Sequence, residues 1–126
     1  MKLIKREEVV KRPLPGRVIQ LVVGKDEAVS PSGVMTMGYA HYSAESGPMA
    51  PHRHAEEIVV ITGSEQGYTR YGGSGDEPNE LGERIALEVG MILHFPKGEW
   101  HVFEFDEGGM VDIIFFYSQS DVYSDK

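Results

Sequence analysis

Five histidines stand out in this chain, and two of them are separated by a single residue in His52-Arg53-His54. On extended backbone, residues i and i+2 project from the same face, so both imidazoles can converge on one point while Arg53 turns away. The acidic pair Glu56 and Glu57 follows after a short turn and offers an oxygen ligand. Neutral imidazole together with carboxylate suits Fe, Mn, Zn, Ni or Cu. A short histidine pair alone is a weak signal, since exposed surface turns also carry one.

Cysteine is absent, which removes thiolate nucleophiles, disulfides and thiolate metal sites and leaves imidazole and oxygen as the available ligands. The remaining candidates are less specific. His41 shares one strand face with Met35, Met37 and Tyr39, and facing a cavity it could move a proton, bind substrate or orient a ligand; ordinary packing explains it equally well. His94 has no motif role and reads as a structural or supporting histidine. Arg70 could clamp an anionic substrate, against the plainer reading of a surface ion pair. Tyr39, Trp100 and Phe103 could line a substrate pocket, although aromatic stripes more often form core or dimer interface. The run Gly72 to Gly75 lacks the lysine and helix of a phosphate-binding loop and reads as a turn.

The elements that must position these groups are short strands. Arg17 to Val23 is β-branched and reads as a strand after the Pro13, Pro15 and Gly16 punctuation, with residues 1–16 as an arm or short helix. Val34 to Tyr42 alternates at period two. Glu57 to Thr62 is a strand, Gly67 to Tyr71 its expected return, and Gly72 to Glu83 an exposed loop. Arg84 to Glu88, Gly90 to Phe95, His101 to Phe105 and Met110 to Tyr117 complete a series typical of an all-β sandwich or barrel. Residues 119–126 form a polar tail expected to fray. With Glu57 inward, alternation sends Val59 and Ile61 inward and Thr62 outward; with Glu56 inward, Thr62 would face the core. The polarity favours Glu57.

The chain of 126 residues, 40% hydrophobic and 25% charged, can bury a core as one domain. A formal charge of −8 argues against binding the nucleic-acid backbone. No secretory signal or membrane span is visible, so a cytoplasmic location is expected.

The segment Gly90 to His101 places a proline, a second glycine and a histidine at fixed intervals after its first glycine: Gly90, Pro96, Gly98, His101. Together with Gly47-Pro-Met-Ala-Pro-His52-Arg-His54-Ala-Glu-Glu-Ile, it resembles the two signature motifs of the cupin superfamily. The two motifs and the stretch between them run from Gly47 to Phe105. Four residues instead of five separate Gly47 from His52, the turn before the glutamate is shortened, and Phe105 stands where the family has asparagine. The resemblance implies an all-β, double-stranded β-helix (jelly-roll barrel) of the small RmlC-like kind. It implies one divalent metal held by His52, His54, His101 and either Glu57 or Glu56. Such a site leaves positions for water, dioxygen or substrate. Cupins resembling this one include dioxygenases, sugar isomerases, lyases and decarboxylases, and the fold does not choose among them. Dioxygenase-like chemistry on a small organic molecule is the preferred reading. An isomerase or lyase in which Glu57, Glu56 or His41 moves a proton, and a non-catalytic binding module, are the alternatives. The family also implies a homodimer.

Overall fold

The computed structural model describes residues 1–25 and 27–123. Eight strands form one antiparallel sheet that curls on itself, apart from one short parallel pairing. They are β1 (Arg12–Leu14), β2 (Arg17–Gly24), β3 (Ser30–Pro31), β4 (Thr36–Ser43), β5 (Glu57–Tyr71), β6 (Ile85–Ala86), β7 (Ile92–Phe95) and β8 (His101–Tyr117). Their order is β1-β2-β4-β8-β5-β6, with β3 beside β2 and β7 beside β5. The helical content is two single 3-10 turns, Arg6–Glu8 and Ala44–Ser46. No helix among the described residues is long and apolar enough to cross a membrane.

The expected hairpin between Glu57–Thr62 and Gly67–Tyr71 is instead one strand of 15 residues, and His101–Phe105 joins Met110–Tyr117 in one strand of 17. β5 and β8 pair antiparallel from Glu57↔Tyr117 to Tyr71↔His101, with irregularities at Ile61/Gly63 and Glu65/Gly67. The bend at Gly67 requires glycine, because a Cβ there would lie 2.5 Å from the Val111 side chain. Bulges of this kind sharpen a strand's twist and let a sheet roll into a barrel.

The inner faces of the strands supply the core. Ile19 and Leu21 on β2, Val59 and Ile61 on β5, and Ile113 and Phe115 on β8 are almost completely buried. Thr62 is exposed, as the inward setting of Glu57 requires.

On β4 the phase is opposite to the one that side-chain size implies. Thr36, Gly38, Ala40 and Tyr42 face inward, while Met37, Tyr39 and His41 are half-buried on the outer face. The reason is close approach: a Cβ on Gly38 would stand 2.8 Å from the Phe115 ring and 2.5 Å from the Gln20 carbonyl oxygen. Only small groups fit there, so the large ones turn out.

Two terminal segments are also more structured than expected. β1 pairs with β2, Arg12 opposite Ile19, so the N-terminal arm extends the sheet. Val122 packs against the core and Tyr123 is 4% exposed, so the tail folds back onto the barrel instead of fraying. Residues 124–126 of that tail lie outside the described residues.

Candidate metal centre

The two histidine-bearing stretches meet through their backbones. His52 and His101 exchange N–H···O=C bonds of 3.0 and 2.9 Å, and the Gly98 amide donates to the His54 carbonyl at 2.9 Å. The turn from Pro96, closed by the Glu99 amide on the Pro96 carbonyl, delivers His101 to the first position of β8. Ring centroids lie 4.5 Å apart for His52 and His54, 4.5 Å for His52 and His101, and 6.4 Å for His54 and His101.

Glu57 is 3% exposed and turns into this cluster, its Oε1 at 3.2 Å from His101 Nε2. Neither atom makes a hydrogen bond, although both are buried. The geometry explains why. His101 Nδ1 lies 3.0 Å from the Glu99 carbonyl oxygen, which can only accept, so the proton of the neutral ring sits on Nδ1 and Nε2 presents a lone pair. With the ring neutral, two acceptors face each other out of water, an arrangement that is costly unless a cation lies between them.

The surroundings keep the His52 imidazole neutral. Burial, reinforced by the neighbouring His101 and His54 and then by Arg17, pushes the pKa of His52 far down, so it stays unprotonated. Phe95 stacks on the His101 ring at 4.0 Å and 14°, fixing its plane. Tyr117 meets the His54 ring edge-on at 5.3 Å. Tyr42, Tyr117 and Tyr123 are all shifted upward, chiefly by burial, and keep their phenolic protons.

Among the described residues, no group of three or more His, Asp or Glu side chains is arranged to hold a metal ion as the side chains stand. The donor set fits one in kind: three imidazoles, one carboxylate, and a buried nitrogen and oxygen facing each other without a hydrogen bond.

Several sequence candidates lie elsewhere. Glu56 is half-exposed and bonded at 2.7 Å to His94 on the outer surface, because alternation at the start of β5 gives the inward position to Glu57. His41 faces outward, with Nδ1 3.0 Å from Asp112, and Arg6 covers the Tyr39 ring at 4.3 Å. Neither His41 nor Tyr39 lines the interior. Arg70 donates to the Gly82 carbonyl and lies 3.7 Å from Glu104, also outside. Trp100 donates to the Gly75 carbonyl and lies under Arg53, bracing the glycine-rich loop. Phe103 is buried against Tyr42 at 5.0 Å, in the core. Arg17, Tyr42 and Tyr123 were missed. Alternation from Ile19 turns Arg17 inward; nothing in an eight-residue polar tail singles out Tyr123.

The curled antiparallel sheet, with this cluster inside it, is the cupin fold. No family model and no curated protein matches the chain. Among solved structures, a protein from Planctomyces limnophilus superposes with a TM-score of 0.69 at 15% identity, over 94% of this chain and 90% of that one. Bacillus subtilis oxalate decarboxylase, with Mn(II) centres, gives 0.67 at 16%, over 98% of this chain and 30% of that one. Hydroxypropylphosphonic acid epoxidase of S. wedmorenis, also studied in its Fe(II) form, gives 0.65 at 12%, over 93% of this chain and 59% of that one. The chain thus spans about three fifths of the epoxidase chain.

Proposed function

We propose that this chain is a metal-dependent enzyme acting on a small organic molecule, with iron- or manganese-dependent oxygen chemistry as its reaction class. The observation that carries the reading is the buried opposition of His101 Nε2 and Glu57 Oε1 beside His52 and His54. These four residues would hold the ion. When bound, such an ion supplies Lewis acidity and one-electron redox capacity. The Fe(II) of the epoxidase and the Mn(II) of the decarboxylase support the choice of metals.

The chain's own residues prepare the site. The Glu99 carbonyl holds the His101 proton on Nδ1, and the Phe95 ring keeps the imidazole from turning. Tyr42, Tyr117 and Tyr123 close off water and offer neutral hydroxyls where substrate oxygens would sit.

Elemental analysis of the purified protein, with His52→Ala and His101→Ala beside it, tests the site. Metal in the wild type and its loss in both variants is expected; equal metal in all three removes the reading. Oxygen uptake across catechols, thiols and keto acids tests the reaction class, with a sugar-isomerisation assay in parallel. Uptake on one of these substrates is the expected result. Isomerisation alone would transfer the site to proton-moving chemistry, and silence on both would leave a binding module.

A further inference from the structure

Arg17 opens β2, where Ile19 and Leu21 are buried in the core and Gln20 faces outward to Arg6. Alternation therefore turns Arg17 inward. The β2–β4 register sets Val18 opposite His41, so Arg17 comes level with Tyr42, whose side chain is buried inside the barrel. Its guanidinium stands beside the Tyr123 hydroxyl, and its charge reaches Tyr42 and His52.

What Arg17 lacks is an anion. Arg6 is paired with Asp112, Arg12 with Glu27, Arg70 with Glu104, and Arg84 with Glu104 and Asp106. Arg53 lies on the outer surface, over Trp100, and holds the Ser74 and Gly75 carbonyls. Arg17 donates from Nη1 to the Pro15 carbonyl at 3.0 Å and stands against the Tyr123 hydroxyl, and it makes no salt bridge among the described residues. Arg17 is half-buried with no counter-charge, and a guanidinium fork matches the paired oxygens of a carboxylate or phosphonate.

We propose that Arg17 is the substrate-recognition residue, and that the substrate is a small organic anion seated between the Arg17 guanidinium and the cluster of His52, His54, His101 and Glu57. The proposal rests on the barrel interior being the substrate site. The anion would take the place beside Arg17 that the Tyr123 hydroxyl now holds, with the Tyr42 hydroxyl as a second donor. An acid is also the substrate type that the names of the decarboxylase and the epoxidase denote.

Calorimetric titration of the metal-loaded protein with pyruvate and with methylphosphonate tests this, with methyl pyruvate as the uncharged control. Wild type should bind at least one anion and not the ester. Arg17→Gln should weaken that binding about ten- to a hundredfold, the effect of losing a charge-assisted pair. Arg17→Lys, which keeps the charge and the fold but not the fork, should fall between. Metal content should be the same in all three proteins. Undiminished anion binding by Arg17→Gln overturns the proposal. So does wild type that carries its metal and binds neither anion, a result that leaves the metal reading standing. Conversely, anion binding that depends on Arg17 in protein that takes up no metal would sink the metal reading and uphold this one.

Discussion

Replacing Glu57 by glutamine separates the cost of the cluster without metal from its gain with metal, because the two have opposite signs. In the metal-free protein, Oε1 lies 3.2 Å from His101 Nε2 without a hydrogen bond. An amide in that position can turn its NH₂ toward Nε2 and donate. Relieving a buried unsatisfied polar group is worth about 1–3 kcal/mol. Unfolding entropy of about 2.1 cal/mol/K per residue over 126 residues amounts to ~0.26 kcal/mol/K, so each kcal/mol moves Tm by about 4 °C. Metal-free Glu57→Gln should therefore melt roughly 4–11 °C above metal-free wild type. Saturation with Fe(II) or Mn(II) at about a hundred times Kd should raise wild type by ~2.7 kcal/mol, on the order of 10 °C. The neutral amide is a poor ligand, so the variant should gain little. Scanning calorimetry of both proteins, with and without metal under anaerobic conditions, reads all four values. A metal-free variant that melts below wild type, or one that gains as much from metal, would refute the reasoning.

Three further outcomes follow from the packing and the outer-face charges. Gly38→Ala places a Cβ against the Gln20 carbonyl and the Phe115 ring, and should cost about 1–3 kcal/mol, read as a lower urea midpoint at unchanged slope. Burial works to raise the Asp112 pKa, but hydrogen bonds from Arg6, Thr62 and His41 outweigh it and hold the carboxyl below its usual value. Its contribution to stability is thus present above the unfolded carboxyl pKa of about 3.9 and is lost as the pH falls through the lower folded value. Asp112→Asn should flatten that part of the stability–pH curve, measured by urea titration between about pH 2 and 6; an unchanged slope would contradict the assignment. Tyr123→Ala removes a buried ring from against Phe115 and Tyr117 and should cost about 3 kcal/mol, whereas a freely fraying tail would show no change.

The architecture was legible because its signals are local. β-branched runs bounded by glycine and proline mark β2, β5, β7 and β8, and the Gly90, Pro96, Gly98, His101 spacing carries His101 to the His52–His54 pair. Polarity along β5 predicts Glu57 inward and Glu56 outward, the settings the strand adopts. The misreadings share one cause: contacts between segments distant in sequence. The inward phase of β4 is set by Phe115 pressing on Gly38, which reversed the expected orientation of Tyr39 and His41. Arg70, expected on a separate return strand, lies within one continuous β5 and faces outward beside Glu104. Tyr123 enters the barrel from a segment whose composition resembles solvent-exposed chain.

Glu57 begins β5 and His101 begins β8, so in the antiparallel ladder between them these residues stand at opposite ends, one paired with Tyr117 and the other with Tyr71. They nevertheless touch, because the ribbon rolls over until its two extremities meet. An ion held there would act as a rivet through the rolled ribbon, and its effect would not stop at the residues it contacts. Amide exchange should slow along the entire length of both strands on metal loading, as one cooperative unit, instead of in a patch around the histidines.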